Sequence, residues 1–185
     1  PKNYIYPGKA GYWQTGFPGG SHEYLVNQGN GGRDMDGRTL FFYLATVNTP
    51  AMALEIPGVG SQYAFSSRDG SGAYLNGSNT YKLNIPANPP AQRFWSFVVY
   101  DPQTRAMLQS VDMPYPSKNN KRNTDMVKNA DGSIDLYFGP EAPAGMEANW
   151  VKTVPGKGWF GIFRLYGPGQ EWFDRTWKLG AIEKV

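Results

Sequence analysis

The sequence of 185 residues contains no cysteine and only one histidine, His22. Without cysteine, disulfide scaffolds, thiol nucleophiles, iron–sulfur ligation and cysteine-based zinc sites are excluded. A single histidine excludes any site that needs two imidazole ligands, and no G-x-S-x-G nucleophile elbow occurs. The sequence therefore predicts no metal site and no cofactor.

The sequence also has little excess charge and no long hydrophobic run. Eighteen basic and 15 acidic residues give a net charge of +3, and the densest basic stretch, 118–128, contains Asp125 among its four cations. This stretch is typical of a solvated loop, with nucleic-acid binding as the alternative, and we expect no nucleic-acid partner.

No segment approaches the roughly 18 apolar residues of a spanning helix, so we expect no membrane span. The chain opens without a signal-type segment, so an export signal would lie upstream.

Turn-forming and aromatic residues are abundant. The chain has 23 glycines and 15 prolines, and 15% of its residues are aromatic. Many chain breakers together with many aromatic residues favour short strands joined by turns. We therefore predict a mainly β fold, an antiparallel jelly roll or β-sandwich with one or two short helices. The predicted strands are 61–67, 81–85, 93–100, 106–111, 126–129, 134–138, 150–154, 159–166 and 182–185.

Near residue 60 the sequence changes from an irregular segment with one helical stretch to a series of short strand and turn patterns, and this change suggests the domain organisation. Residues 1–59 are predicted to be a connector that carries one helix, at about 34–47, packed on the main domain, and residues 60–185 are predicted to form the jelly roll. Asp34 or Asp36 is placed to cap the helix. The run Leu40–Ala45 is apolar on every side, which predicts a buried helix. A second short helix is expected over 170–177.

The strand 159–166 is predicted to be central in its sheet. Alternation places Phe160, Ile162 and Arg164 on one face and Gly161, Phe163 and Leu165 on the other, and both faces are largely apolar. The predicted core residues are Phe94, Trp95, Phe97, Val99, Leu136, Phe138, Phe160, Ile162 and Leu165.

Several sequence blocks occur together in a specific combination. They are 88–96 (NPPAQRFWS), 100–105 (YDPQTR), 129–140 (NADGSIDLYFGP), 149–150 (NW) with 153–160 (TVPGKGWF), 164–168 (RLYGP) and 172–174 (WFD). Together they closely resemble the domain-of-unknown-function 1214 family, strongly over 60–185 and more loosely over 1–59.

The resemblance implies a jelly roll that forms the C-terminal half of bacterial two-domain proteins, whose N-terminal half is the domain-of-unknown-function 1254 family. It further implies an envelope or exported protein, periplasmic or secreted, that assembles into homo-oligomers such as trimers. The N-terminal partner domain is missing from this sequence. The resemblance supplies no catalytic residues.

Two functions remain open from the sequence. The first is a non-enzymatic binding or assembly module, which the absence of a catalytic signature and the surplus of aromatic residues favour. The alternative is a hydrolase that acts on a glycan or another envelope polymer through paired carboxylates. The carboxylates considered for that role are Glu55, Asp101, Glu141, Glu171 and Asp174.

A ligand site is predicted around the loop Pro155-Gly156-Lys157-Gly158, whose glycines allow close approach of another molecule. Flanking tryptophans offer stacking faces, and basic side chains offer donors for an anionic or hydroxylated ligand. The alternative is that the tryptophans simply pack over one end of the core. The predicted site residues are Asn149, Trp150, Lys157, Trp159 and Arg164, with Arg93 and Tyr100 nearby.

Overall fold

A computed structural model describes residues 3–45 and 47–185. The chain is mainly β, as predicted. The strands are β1 (Ser61–Ser66), β2 (Tyr81–Ile85), β3 (Ala91–Tyr100), β4 (Ser117–Asn119), β5 (Ile134–Gly139), β6 (Trp150–Lys152), β7 (Phe160–Pro168) and β8 (Ile182–Lys184). The α-helices are α1 (Met35–Leu44), α2 (Pro50–Ala53) and α3 (Gln170–Phe173). Short 3-10 turns lie at Pro7–Tyr12, Pro18–Gly20, Asn27–Gly29 and Glu147–Asn149.

The strands form two four-stranded sheets. The first has the order β1-β7-β3-β4 and is antiparallel throughout. The second has the order β6-β5-β2-β8, in which β5 and β6 are parallel and the other pairs are antiparallel. The two sheets pack on each other as a sandwich, with Phe97 of the first and Phe138 of the second 4.8 Å apart between ring centroids. The jelly-roll connectivity itself remains a prediction.

Strand β7 is central, between β1 and β3, as its two apolar faces predicted. Its inner face presents Gly161, Phe163 and Leu165 to the core between the sheets, and all three are buried. Phe160, Ile162 and Arg164 alternate onto the opposite face, which we call the outer face of the first sheet.

Seven of the nine predicted core residues are buried. Phe94 and Ile162 are the exceptions, since both are half-buried on the outer face. The ring of Phe94 stacks on Tyr166, with 4.1 Å between centroids. Strand alternation explains both cases, because it places these two side chains on the outer face rather than between the sheets.

Residues 3–33 wrap over the sandwich rather than extend away from it. Trp13 is fully buried, packs edge-on against Phe97, and donates from Nε1 to the Gly180 carbonyl at 2.8 Å. Phe17 and Tyr24 join Phe41 of α1 and Ala53 of α2 in a second, smaller hydrophobic cluster. This cluster fixes α1 above the outer face of the first sheet.

Helix α1 is shorter and more exposed than the sequence predicted. The Asp34 side chain caps it by accepting from the Gly37 N–H at 2.9 Å, and the helix ends at Leu44 instead of 47. Val47 and Asn48 are weak helix formers, and Thr46 lies outside the described residues. The predicted burial is wrong, because the helix lies on a sheet surface and is covered on one side only. Phe41 is buried, whereas Phe42 and Tyr43 are 45% and 56% exposed.

Two predicted strands are not formed and one strand was missed. Residues 106–111 make only isolated bridges. The Asp131-Gly132 turn does form, but 126–129 does not pair with β5, which pairs with β2 and β6 instead. The missed strand, β4, lies in the basic stretch and pairs with Ser96–Val98 of β3. In the part of the chain that the structure describes, no helix is long and apolar enough to span a bilayer.

Candidate functional site

A cleft of about 550 Å³ lies between the end of α1 and the outer face of the first sheet. We call it the Arg164 cleft. In the last turn of α1, Phe41 is buried, whereas Phe42 and Tyr43 line this space. The cleft is lined by Phe42, Tyr43 and Leu44 of α1, Ala45 directly after it, Tyr100 of β3, Thr104, Arg105 and Ala106 of the following loop, and Phe160, Ile162 and Arg164 of β7.

Arg164 is half-buried at the base of the cleft. Its Nη2 donates a hydrogen bond to the Tyr100 hydroxyl, and its guanidinium lies 5.9 Å from the Tyr63 ring and 5.7 Å from the Tyr100 ring. Its Nε is buried without an acceptor, and no described carboxylate lies within 4.0 Å of the guanidinium. An arginine has five N–H donors, so the fold itself uses little of this group's capacity to bind an anion.

Tyr100 stands beside Arg164 and is held by Phe160, on which it stacks with 5.2 Å between centroids. Burial raises the pKa of the Tyr100 phenol, and the nearby Arg164 charge opposes this rise without cancelling it. The phenol therefore keeps its proton at neutral pH. Because its oxygen already accepts from Arg164, its O–H is available as a donor to a bound molecule.

Arg105 and Tyr43 form the rim of the cleft. The Arg105 guanidinium lies over the Tyr43 ring, 4.6 Å from its centroid, and so joins the loop after β3 to α1. Among the described lining residues there are two arginines and no acidic side chain. Apolar walls with convergent cationic and phenolic donors are suited to a small molecule that has an apolar body and an anionic group.

The loop that motivated the predicted site lies next to this cleft rather than in it. The side chain of Lys157 is 53% exposed, and its Nζ lies 3.0 Å from Oδ2 of Asp101, the residue after Tyr100. Trp159 is buried against Tyr81 and Phe138, with ring centroids 5.7 and 5.1 Å away. Lys157 thus holds a turn beside the cleft, and Trp159 packs in the core.

Three of the predicted site residues lie elsewhere. Asn149 is buried and binds backbone groups: it accepts from the Val127 N–H and donates to the Val127 and Asp135 carbonyls at 2.7, 2.8 and 2.9 Å. Trp150 is in β6 of the second sheet and donates to the Gly139 carbonyl. Arg93 is exposed near the start of β3, about 23 Å along the strand from Tyr100. Among the seven predicted site residues, Tyr100 and Arg164 are therefore the pair that a hydrogen bond joins in the cleft.

The carboxylates considered for hydrolysis have separate surroundings. Asp101 accepts from Lys157 and from the Gln103 N–H, and Asp174 accepts from the Gln170 amide. Glu55, Glu141 and Glu171 are exposed. No hydrogen bond or shared cation in the described part of the chain links two of these five groups. Residues 3–45 and 47–185 also contain no cluster of three or more acidic or histidine side chains that could hold a metal ion.

Sequence reasoning missed the half of the cleft that α1 and the 104–106 loop contribute. Tyr43 and Arg105 are the principal residues among those missed. A usable signal existed, because a helix that is apolar on every side must present some apolar side chains to solvent when it lies on a surface.

The comparison with the first of two solved structures agrees with the fold. The structure of the VPA0106 protein from Vibrio parahaemolyticus superposes with a TM-score of 0.61 and 22% identity, over 88% of this chain and 39% of that one. A putative uncharacterized protein from Burkholderia cenocepacia gives a TM-score of 0.44 and 18% identity, over 72% of this chain and 32% of that one. The chain thus spans well under half the length of either relative. No curated protein matches.

The family assignment rests on the sequence of the segment that forms most of the sandwich. Residues 60–170 match the family described as "Protein of unknown function (DUF1214)". This region runs from just before β1 to the start of α3, so it includes both strands that supply the base of the Arg164 cleft. Because it makes up more than half of the chain, the protein belongs to the DUF1214 family.

Proposed function

We propose that this domain is a non-enzymatic binding module whose ligand is a small molecule with an anionic group and an apolar body, held in the Arg164 cleft. The observation that supports it is a half-buried guanidinium that faces a cavity of about 550 Å³ without a carboxylate partner among the described residues. A cation that is partly removed from water and left unpaired is costly. A bound anion recovers this cost.

The size and lining of the cleft fit the same conclusion. Its volume lies within the roughly 300–1,000 Å³ typical of small-molecule sites. Phe160 and Ile162 form an apolar floor, and Tyr100 adds a neutral O–H donor next to Arg164. The arrangement contains donors for an anion but no pair of carboxylates for acid–base chemistry, so binding fits it better than hydrolysis does.

The test is calorimetric titration of the protein with naphthoate, an aromatic carboxylate, at neutral pH and low salt. Arg164→Met should weaken binding by about tenfold to a hundredfold, since hydrogen bonds to charged groups contribute about 1.5–3 kcal/mol. Tyr100→Phe, which keeps the stacking on Phe160, should cause a smaller loss. Naphthalene methanol, which has no charge, should bind more weakly than naphthoate.

Arg93→Met is the matched control, because Arg93 is an exposed arginine far along the same sheet. It should leave naphthoate affinity unchanged. Circular dichroism and thermal melting establish that each variant is folded. Absence of naphthoate binding, or equal binding by Arg164→Met and the wild type, would overturn the proposal.

The proposed setting is an envelope or exported protein, periplasmic or secreted, in which the domain assembles as a homo-oligomer and is joined to an N-terminal domain. The family resemblance supports this setting, and the greater length of the Vibrio relative supports the presence of a further domain. Exposed apolar side chains at Val47, Leu54, Ile56 and Val59 offer a surface for such contacts. Native mass spectrometry that finds only monomer at high concentration would contradict the assembly part.

A further inference from the structure

A second cavity, of about 510 Å³, lies on the other side of the end of α1. We call it the Trp159 cavity. Leu40 of α1, Phe65 of β1, and Leu75 and Trp159 from the core give it mainly apolar walls. Its described lining contains one charged side chain, Arg105, and no acidic one. Because its walls are mainly apolar and Arg105 is shared with the Arg164 cleft, it suits a hydrocarbon chain.

The two cavities are neighbours. Tyr43, Leu44, Arg105 and Phe160 line both of them. Arg105 lies over the Tyr43 ring at this shared boundary, and Phe160 lines both cavities from β7. Together they make a trough with a guanidinium at one end and apolar walls at the other.

We infer that the ligand is an elongated amphiphile with one carboxylate-type head at Arg164 and an unbranched apolar chain that passes Phe160 into the Trp159 cavity. This inference rests on the proposed function and adds the shape of the ligand to it. The distribution of charge supports this shape. Arg164, which has no carboxylate partner among the described residues, is at one end of the trough. Arg105, the one charged side chain in the described lining of the Trp159 cavity, is shared with the Arg164 cleft and lies over the Tyr43 ring. A compact ligand would leave the Trp159 cavity unused.

Chain length is the property that distinguishes an elongated ligand from a compact one. Each methylene transferred from water into the Trp159 cavity should raise affinity about threefold to fourfold. The affinity series hexanoate, octanoate, decanoate and dodecanoate should therefore rise steadily in the wild type, measured by calorimetry below the micelle concentrations. Dodecylammonium, which has the same chain and the opposite charge, should bind at least tenfold more weakly than dodecanoate.

Ser67→Phe is designed to fill the Trp159 cavity, which Ser67 lines. This variant should bind hexanoate as the wild type does but lose the gain from octanoate onward. Thr124→Phe, at an exposed position outside both cavities, should keep the whole series. Thermal melting and naphthoate binding verify that the Ser67→Phe protein is folded with an intact Arg164 cleft. If it is not folded, Leu40→Trp, which narrows the same cavity from α1, takes its place.

Each other outcome has a definite meaning. If naphthoate binds in an Arg164-dependent manner but carboxylate affinity does not rise with chain length, the elongated ligand is wrong and the proposed function stands. The same conclusion follows if the rise persists in both cavity-filling variants, because the chain then lies elsewhere. If neither naphthoate nor any carboxylate of the series binds, both proposals fail.

Discussion

The ring of Phe97 occupies the space that a side chain on Gly161 would need. A Cβ on Gly161 would overlap this ring, with Cε1 only 2.7 Å away. Both residues face the core from neighbouring strands, and Phe97 in turn touches Phe138 of the second sheet. The absent side chain is therefore what lets Phe97 lie between the two sheets.

Gly161→Ala should destabilise the fold by about 1–3 kcal/mol, because the added methyl group overpacks a closed core. Urea unfolding followed by tryptophan fluorescence measures this change. Gly158→Ala is the matched control, since a Cβ there meets its nearest neighbours at 3.6 Å, an ordinary contact. A loss of stability that is equal in the two variants would contradict the role assigned to Phe97.

Asn149→Ala should lower the free energy of unfolding by about 2–4 kcal/mol, because it leaves buried backbone groups of Val127 and Asp135 without partners. The Asn149→Ala substitution should not alter naphthoate binding, since Asn149 lies in the 3-10 turn before β6 and outside the Arg164 cleft. Asn30→Ala, at an exposed position, is the control for stability. A loss of binding with unchanged stability would show that Asn149 belongs to a ligand site after all.

Asp101 should make stability depend on pH in the acid range. Burial alone would raise the pKa of its carboxyl, but the Gln103 N–H, the Lys157 ammonium and the Thr104 N–H together lower it below the usual value. The folded state then binds this proton more weakly than the unfolded chain. The carboxylate consequently stabilises the fold above about pH 3.9, and this contribution is lost as pH falls through the lower folded pKa.

The measurement is urea unfolding of the wild type and Asp101→Asn at a series of pH values. The wild type should be more stable by about 1 kcal/mol at neutral pH, since a charged acceptor binds N–H groups more strongly than an amide does. The two curves should converge in the acid range. Lys157→Ala should cost less, because that side chain is half-exposed and its ion pair is screened. A difference that does not change with pH would refute this account.

Asp34→Ala should loosen α1 without unfolding the sandwich. Loss of the cap costs about 1 kcal/mol, so amides of α1 should exchange with solvent about fivefold faster. Asp36→Ala is the control, because Asp36 lies in the first turn but does not cap the helix, and its effect should be smaller. Equal exchange rates in the two variants would mean that the contact between Asp34 and Gly37 does not hold the helix start.

The parts of the fold that alternation specifies were predictable from the sequence. Strands β3 and β7 carry long runs of β-forming residues, and both lie where these runs predicted. Strand β4 was not predictable, because Ser117–Asn119 has no apolar pattern and is a strand only through its pairing with Ser96–Val98. The exposure of α1 was also not predictable, since an apolar sequence does not distinguish a helix inside a core from a helix that lies on a sheet.

The candidate site was only partly predictable, for a related reason. Tyr100 and Arg164 are 64 residues apart, and the register of β3 against β7 brings them to the same face. Sequence reasoning selected both as donors near a glycine-rich loop, but it grouped them with Asn149 and Trp150, which the second sheet holds elsewhere. Chain proximity to the loop did not reveal this pairing, because the sheet face that two side chains share decides which of them can meet.

The contacts between the two ends of the chain bear on the order in which the protein folds. The Leu179 N–H donates to the Tyr6 hydroxyl, and Trp13 donates to the Gly180 carbonyl, across 173 and 167 residues. On a ribosome, the N-terminal segment emerges long before its partners exist. Until residue 180 has been released, Trp13 and Tyr6 lack these contacts, and their apolar surface is available to chaperones and to other chains. Completion of the fold therefore waits for residues 179 and 180, and its slow step is the closure of very long loops.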